Sequence, residues 1–371
     1  MVDKRLNKLA KVLVNYSLRL KKGDFFLIDS HTVSEPLVKE VFKEALLVGA
    51  NPIITPLNAH PYEECNEILL KYGSDEQISF VNPASRLLVD KIDAFLTIWG
   101  DLNTKSLNNI DPAKMKLRSK ARKEVQETYM RRMGDGSLRW CGTQYPTYAA
   151  AMDADMSLSE YEEFVFSAGY INTDDPESEW KRIHEHQQKY VDFLNGKSKI
   201  EVKAKDTHLT IDVSGREWIN CDGRVNFPDG EVFTSPVENS INGHIRFSYP
   251  AIYMEREVED VTLEFKDGVV VSAKAKKGED FLNEILHTDE GASRVGEFAI
   301  GTNYNITKFT KNMLFDEKIG GTIHMAVGAS IMEAGGKNVS AIHWDMLCDM
   351  KDGGEIYADG ELFYKDGKFL I

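Results

Sequence analysis

The chain has 371 residues, of which 42% are hydrophobic, and a formal net charge of −14 at pH 7. This length is enough for two domains with separate cores, and the negative charge argues against nucleic acid or an anionic membrane surface as a partner. Four cysteines without a Cys-x-x-Cys pair indicate neither a zinc ribbon nor a dense disulfide framework. Because the sequence has no apolar signal core and no run of eighteen apolar residues, we expect a cytoplasmic protein.

The first half of the chain alternates between helical and extended patterns. Apolar residues recur at helical spacing in residues 6–17 and 37–46, and Ser34 is a candidate N-cap of the second helix. Short apolar runs at 25–29, 52–55, 92–99 and 138–142 predict buried strands. Such alternation predicts an open, largely parallel sheet with flanking helices. No glycine-rich phosphate motif follows these strands, which argues against a nucleotide site on this sheet.

Two further helices complete this half. The helix that begins at Asp111 is basic, but its charges spread round its surface, so a solvated face is the better interpretation than an anion site. A long helix is predicted from Pro176 to Leu194. The polar linker that follows predicts a domain boundary, which divides the chain into residues 1–195 and 196–371.

Beyond the linker the hydrophobic pattern has a period of two. Alternating residues predict strands, and Asp267-Gly268 and Asp359-Gly360 predict hairpin turns. The predicted strands are 200–205, 209–213, 261–265, 269–274, 356–358 and 361–364. The fold class is therefore expected to be an N-terminal α/β domain followed by a C-terminal β-rich domain.

The segment from Gly320 to Asp345 contains two histidines and an aspartate. His324 follows a Thr-Ile run at the expected end of a strand. His343 and Asp345 are two residues apart, so on a strand both side chains point to one face. Imidazole and carboxylate are ligands of zinc, manganese, cobalt and iron. A hydrogen-bonded pair is an equally common explanation of such a motif, and a lone histidine is more often structural.

Two glutamates stand at turns next to apolar runs. Glu231 follows Pro-Asp-Gly and precedes Val-Phe-Thr, and Glu297 lies between Gly296 and Phe-Ala-Ile. A buried, unpaired carboxylate is costly or stays protonated, so a cation is expected beside each residue if it is buried. From these residues alone, a glutamate that caps a turn in water is an equally good interpretation.

Five motifs follow one another in the second half: FPDGEVFTSP, GEFAIGTN, GGTIHMAVG, EAGGKN and IHWDM. With these motifs, and with RWCGTQYPTYAAAMDADMSLSEYEEFVF before them, the chain resembles the thermophilic metalloprotease family, metal-dependent aminopeptidases typified by aminopeptidases T and S. The resemblance covers nearly the whole chain. It implies that the metal ligands, all in the β-rich domain, are Glu231, Glu297, His324, His343 and Asp345. It also leads us to expect a homodimer.

The implied ligand set predicts a reaction. Five ligands are more than one catalytic zinc normally takes, whereas two divalent ions (zinc, cobalt or manganese) with a bridging carboxylate would use them all. We expect a metal-activated water to attack the peptide bond, with Glu231 or Glu297 carrying the proton to the leaving amine. The expected substrates are short peptides with a free N-terminus, because a free α-amine can bind the second ion.

The chain departs from the family pattern at Ile331. The family has tyrosine followed by proline seven residues after the first ligand histidine, where this chain has Ile331 and Met332. Tyr304 is the nearest alternative hydroxyl by motif, and we include it among the predicted catalytic residues. The departure keeps open a catalytically weak or inactive peptide- or metal-binding homologue. An amidohydrolase or phosphoesterase with a similar metal pair is a third interpretation.

Overall fold

The computed structural model describes residues 3–55, 63–254 and 256–371, and the chain forms two compact units. Unit 1 comprises Met1–Trp180 and Gly223–Pro228. Unit 2 comprises Lys181–Asp222 and Asp229–Ile371. The boundary between residues 195 and 196 stays a prediction.

Unit 1 contains a five-stranded sheet in which all neighbouring strands are parallel. In spatial order its strands are β2 (Asn51–Ile54), β1 (Phe25–Ser30), β3 (Ala94–Trp99), β4 (Arg139–Gln144) and β8 (Asn226–Phe227). The first four overlap the predicted runs. The fifth was missed, because a two-residue strand has no periodicity; its Phe227 is buried with its ring 5.1 Å from that of Trp180.

Helices alternate with these strands, as predicted. They are α1 (Lys4–Lys11), α2 (Glu35–Leu47), α3 (Glu63–Tyr72), α4 (Asp75–Ser79), α5 (Pro83–Lys91), α6 (Pro112–Ala121), α7 (Lys123–Gly134), α8 (Tyr148–Asp153), α9 (Leu158–Ala168) and α10 (Pro176–Leu194), the last of which continues into unit 2. A π-helical turn, Val12–Ser17, extends α1. Ser34 precedes α2, but its side chain makes no capping hydrogen bond there. The basic helix α6 buries none of its side chains, in agreement with a solvated face.

Unit 2 contains an eight-stranded antiparallel sheet. Its strands in spatial order are β14 (Val269–Lys274), β13 (Thr262–Lys266), β10 (Asn242–Arg246), β6 (Thr207–Asp212), β5 (Lys199–Ala204), β18 (Glu355–Ala358), β19 (Glu361–Lys365) and β20 (Lys368–Phe369). All six strands predicted from alternation lie in this sheet. The turn residues Asp267 and Asp359 have positive φ, as hairpin turns of this kind require.

Unit 2 also contains a five-stranded antiparallel sheet. Its strands in spatial order are β17 (His343–Asp349), β16 (Thr322–Gly328), β15 (Val295–Gly301), β9 (Glu231–Thr234) and β7 (Ile219–Cys221). The remaining elements are α11 (Glu279–Leu286), α12 (Met313–Asp316), the 3₁₀ turn Met332–Ala334 and the pair β11 (Ala251–Tyr253) and β12 (Arg256–Val258). The predicted fold class, parallel α/β followed by β-rich structure, is confirmed.

The two faces of this five-stranded sheet have opposite character. Alternate residues on one face, including Val232, Phe298 and Met325, belong to the large apolar core of unit 2. The intervening residues point the other way and include all five predicted metal ligands. The strands therefore have one face for folding and one for chemistry. Among the described helices, none is both long and apolar enough to cross a bilayer, and the cytoplasmic location stays a prediction.

Candidate metal centre

The five predicted ligands lie on four neighbouring strands of the five-stranded sheet. Glu231 begins β9, Glu297 is on β15, His324 is on β16, and His343 and Asp345 are on β17. Each has a glycine or alanine directly opposite it on a neighbouring strand, which leaves space above the sheet. The opposed pairs are Glu231 with Gly301, Glu297 with Ala326, His324 with Ala299, His343 with Gly328 and Asp345 with Ala326.

A β-bulge at Gly296 turns Glu297 towards the other ligands. Val295 pairs with Val327 and Glu297 with Ala326, so Gly296 is an extra residue in β15. If Gly296 took a regular place in the ladder, Glu297 would share the core-facing side of Val295. A side chain at position 296 has no room, because a Cβ there would lie 2.0 Å from the carbonyl oxygen of Ala329.

Glu297 lies between the two histidines. Its Oε1 is 3.5 Å from His324 Nε2, and its Oε2 is 3.2 Å from His343 Nε2. His324 Nε2 is also 3.5 Å from Glu231 Oε2 and 4.0 Å from Asp345 Oδ1, and His343 Nε2 is 3.5 Å from Asp345 Oδ2. The structure therefore brings all five predicted ligands together, with the two oxygens of Glu297 facing different imidazoles.

Several buried polar atoms of this cluster have no hydrogen-bond partner within the described part of the chain. They are Glu231 Oε2, both ring nitrogens of His324 and Asp345 Oδ1. Leaving such groups unsatisfied costs about 1–3 kcal/mol each, and more where they are charged. A divalent cation among them would satisfy the carboxylate oxygens and one nitrogen of the histidine, so this donor set fits a metal.

His343 is oriented by the backbone. Its Nδ1 donates a hydrogen bond of 2.8 Å to the carbonyl oxygen of Ala329, and its Nε2 faces Glu297 and Asp345, where the neutral ring would present a lone pair to a metal. Such a hydrogen bond behind the ligating nitrogen is the usual support of a metal-binding histidine. His343 is about one-third exposed, whereas His324 is fully buried, so only one of the two imidazoles borders solvent.

The pKa values of Glu297 and the two histidines show that the carboxylates of the cluster need positive charge beside them. Burial raises the pKa of Glu297, but the neighbouring imidazoles outweigh burial and bring it down to about 2. Burial lowers the pKa of both histidines, yet the surrounding carboxylates raise it to about 9 for His324 and about 10 for His343. In the protein without metal, the protonated rings of His324 and His343 therefore supply the positive charge that balances the carboxylates.

The other two carboxylates have raised pKa values. Burial raises the pKa of Glu231 by more than the charges of Lys318 and His324 lower it. Burial, helped by the charge of Glu317, raises the pKa of Asp345 to about 7. For both carboxyl groups, the charged form is unfavourable in this buried position unless a cation is nearby.

Lys318 was missed by the sequence analysis. Its side chain is 1% exposed, and its Nζ lies 3.6 Å from Glu231 Oε1 and forms an ion pair with Glu317. In the sequence Asp-Glu-Lys-Ile-Gly-Gly it has the look of an ordinary charged turn after α12. Only its position in the fold shows it to be buried beside the cluster.

Gln187 was also missed, because its spacing on α10 fits the apolar face of the helix. The side chain is buried, and its Nε2 donates to the carbonyl oxygens of Cys221, at 2.9 Å, and of Glu231, at 3.3 Å. Its Oε1 accepts from the hydroxyl of Thr302 at 2.8 Å. Gln187 therefore connects the ends of β7, β9 and β15, and so fixes the backbone of Glu231.

Tyr304 and Ile331 lie close to the sheet but in different settings. The Tyr304 hydroxyl donates to the carbonyl oxygen of Gly367 at 2.8 Å, and no hydrogen bond joins it to any of the five predicted ligands within the described part of the chain. The catalytic role of Tyr304 stays a prediction. Ile331 packs against an apolar cluster that includes Phe233, Ala299 and Ala334, on the face of the sheet that carries the ligands.

Comparisons with known proteins agree with this centre. A family model described as thermophilic metalloprotease (M29) matches residues 2–369. Aminopeptidase 2 of Geobacillus stearothermophilus is 27% identical over 410 residues, which covers 99% of this chain and 95% of that protein. Among solved structures, wild-type AmpT from Thermus thermophilus has a TM-score of 0.84 at 22% identity and covers 99% of both chains.

A second solved structure shows that the architecture alone does not fix the reaction. It is 2,5-dihydroxypyridine dioxygenase from Pseudomonas putida, with a TM-score of 0.60 at 14% identity over 98% of this chain and 96% of that one. At this identity only the fold is shared. What separates one reaction from another on this fold is the set of residues in the site.

Proposed function

Because this chain belongs to the thermophilic metalloprotease family (M29) and is a metallo-aminopeptidase, we propose that it removes N-terminal residues from short peptides at a pair of divalent ions. The observation that carries the proposal is the cluster of two imidazoles and three carboxylates, in which five distances from an imidazole Nε2 to a carboxylate oxygen lie between 3.2 and 4.0 Å. The non-catalytic alternative is not favoured, since the family and the relative named above are enzymes.

Glu297 is the carboxylate we assign to both ions. One of its oxygens faces His324 and the other faces His343, so each oxygen is shared with a different imidazole. We assign Glu231 and His324 to one ion and His343 and Asp345 to the other. Zinc, cobalt and manganese all accept imidazole and carboxylate ligands, and any of the three is consistent with this donor set.

When bound, a divalent ion lowers the pKa of a water molecule towards 7 and polarises a carbonyl oxygen, which is the chemistry that peptide hydrolysis needs. The protein's own part is to hold this centre and to move a proton. The imidazoles outweigh burial and lower the pKa of Glu297 to about 2, whereas burial raises the pKa of Glu231. We therefore assign Glu231 as the group that takes a proton from the attacking water and returns it to the leaving amine.

The specificity for N-termini follows from the same arrangement. A free α-amine is a good ligand for a divalent ion, whereas a blocked amine is not. A peptide held in this way presents its first peptide bond to the centre, so cleavage would release one residue at a time.

We also propose a homodimer, which light scattering on the active protein would test; a monomeric mass would contradict it.

A substrate panel tests the function. Metal-loaded protein is assayed against aminoacyl amides, short peptides and the same peptides with an acetylated N-terminus, with and without a chelator. We expect release from the free substrates only, abolished by the chelator and restored by zinc, cobalt or manganese. Cleavage of acetylated peptides at equal rates, or activity that survives removal of all metal, would overturn the proposal.

A further inference from the structure

Beside β7 and α12, the metal centre is bordered by acidic groups that are not among the five assigned ligands. Atoms of Glu231, Glu317 and His324 that could bind a metal lie within 4.8 Å of one another, and so do those of Cys221, Asp229 and Glu231. Both sets contain Glu231. The first set shares Glu231 and His324 with one of the two proposed ions, whereas the second set could by composition take a further divalent ion.

Lys318 stands in this acidic region. Its ammonium lies 3.6 Å from Glu231 Oε1 and is paired with Glu317. Burial lowers the pKa of Lys318, but the charges of Glu231, Glu317 and Asp229 outweigh burial and raise it. The side chain is 1% exposed, so its charge is not screened by bulk water. A fixed, unscreened ammonium at this distance repels a divalent ion from the same space.

The ammonium also fixes how Glu231 is turned. Glu231 Oε1 faces Lys318, while Oε2 faces His324 Nε2 at 3.5 Å. Lys318 itself is held from the backbone side, because its carbonyl oxygen accepts a hydrogen bond of 2.9 Å from the amide of Asn303. The side chain of Asn303 in turn donates to the carbonyl oxygen of Asp229 at 2.8 Å.

We propose that Lys318 is a positioning residue of the metal centre: its buried ammonium takes the place of a third cation among Asp229, Glu231 and Glu317, and leaves Oε2 of Glu231 facing the centre. The inference rests on the proposed two-metal site. It adds that the limit of two ions is set by a side chain of the protein. Glu317 then serves as the partner of Lys318 and not as a metal ligand.

The test is a cycle of variants titrated with Co²⁺ by calorimetry, with bound cobalt measured by atomic emission after gel filtration. The native chain should bind two ions. Lys318→Met keeps the length of the side chain without its charge, and folded protein should bind three ions at saturation. The matched control is Lys277→Met, at an exposed lysine that also pairs with two carboxylates, Glu257 and Glu259. This control should bind two ions with native affinity.

The partner variant gives an independent result. In Glu317→Gln, Lys318 loses one carboxylate and attracts Glu231 more strongly, so the chain should still bind two ions but roughly 10- to 100-fold more weakly. The double variant Lys318→Met with Glu317→Gln removes the cation and its partner together. It should bind two ions with an affinity close to that of the native chain.

The possible outcomes separate the two proposals. Native protein that binds no ion overturns the metal site itself. If the native chain binds two ions and folded Lys318→Met also binds two with native affinity, the role of Lys318 is overturned. Should Lys318→Met not fold, Glu317→Gln decides: unchanged affinity, or the loss of a whole ion, contradicts the proposal.

Discussion

The two faces of the five-stranded sheet in unit 2 use the same strands for different purposes. On one face, residues such as Phe298 and Met325 are completely buried in the apolar core. On the other, the residues between them form a cluster of charged groups with unsatisfied buried atoms. A sheet that is stable because of one face can hold an unfavourable arrangement on the other, and a divalent ion would relieve it.

The largest expected difference between the faces is in their response to pH. Since the pKa values of His324 and His343 are about 9 and about 10, both rings are protonated at pH 7 in the metal-free protein. Filling the centre must displace both protons, so the affinity for the ion pair should rise about a hundredfold per pH unit between pH 7 and 9. Calorimetry in buffers of different ionisation enthalpy should find at least two protons released at pH 7, because Asp345, with a pKa of about 7, adds part of a third.

The same shifts affect the stability of the metal-free protein. Both pKa values lie above the ordinary value of 6.5, so the stabilisation they provide is complete below pH 6.5 and is lost as the pH rises through 9 and 10. Chemical unfolding across this range should show the decline without metal. An affinity that does not change with pH, with no proton release, would contradict this account.

The next largest effect is expected on the core face. Phe298→Ala removes a fully buried ring whose centroid lies 6.1 Å from that of Trp218, edge to face. Such a change should lower the free energy of unfolding by about 3–5 kcal/mol. The fraction that remains folded should bind the same number of ions as the native chain. A loss of metal without a loss of stability would show that the two faces are not separable in this way.

On the ligand face we expect the reverse. His343→Ala removes a partly exposed ring whose Nε2 faces Glu297 and Asp345. Loss of a residue that only supports a metal ligand lowers metal affinity or activity by about 10- to 100-fold, so loss of a ligand itself should lower both by at least about a hundredfold. The free energy of unfolding should fall less than in Phe298→Ala. The control is His244→Ala, at an exposed position on β10 in the other sheet of the unit, which should change neither metal content nor turnover.

The smallest expected effect concerns Ile331, at the apolar margin of the ligand face. Ile331→Tyr would place a hydroxyl where the family resemblance implies a tyrosine, and turnover should rise about tenfold or more with metal affinity unchanged. The larger ring should cost about 1–3 kcal/mol of stability, because Ile331 already packs against Phe233 and Ala299. The companion variant Tyr304→Phe should leave turnover within about twofold, since its hydroxyl is engaged by Gly367. A hundredfold fall in Tyr304→Phe would assign the missing donor to Tyr304.

The sequence predicted the fold class because it leaves a local signal, whereas the ligand set was implied by the family resemblance and stays a prediction. Alternation identified the strands of the eight-stranded sheet, and the spacing of His343 and Asp345 placed them on one face. The five-stranded sheet was harder to predict, because β9, β15 and β16 are buried along their whole length. The glycines and alanines opposite the ligands are a signal that becomes readable only once the strand register is known.

The residues that escaped prediction act through contacts distant in sequence. Lys318 becomes unusual only when Glu231, eighty-seven positions earlier, is placed beside it. Gln187 lies on a helix whose spacing suggests an apolar position, and its role depends on the ends of three strands. No periodicity carries this information, so tertiary structure was required to find both residues.

The bulge at Gly296 makes the centre depend on a shift in phase of one residue. Everything in β15 after this glycine is out of step with Val295, which is why Glu297 faces the ligands while Phe298 faces the core. If Gly296 took a regular place in the ladder instead, the two faces of the strand after it would exchange, so that a carboxylate entered the core and a phenyl ring met the imidazoles. The chemistry of this strand thus depends on Gly296 staying outside the ladder as much as on which residues follow it.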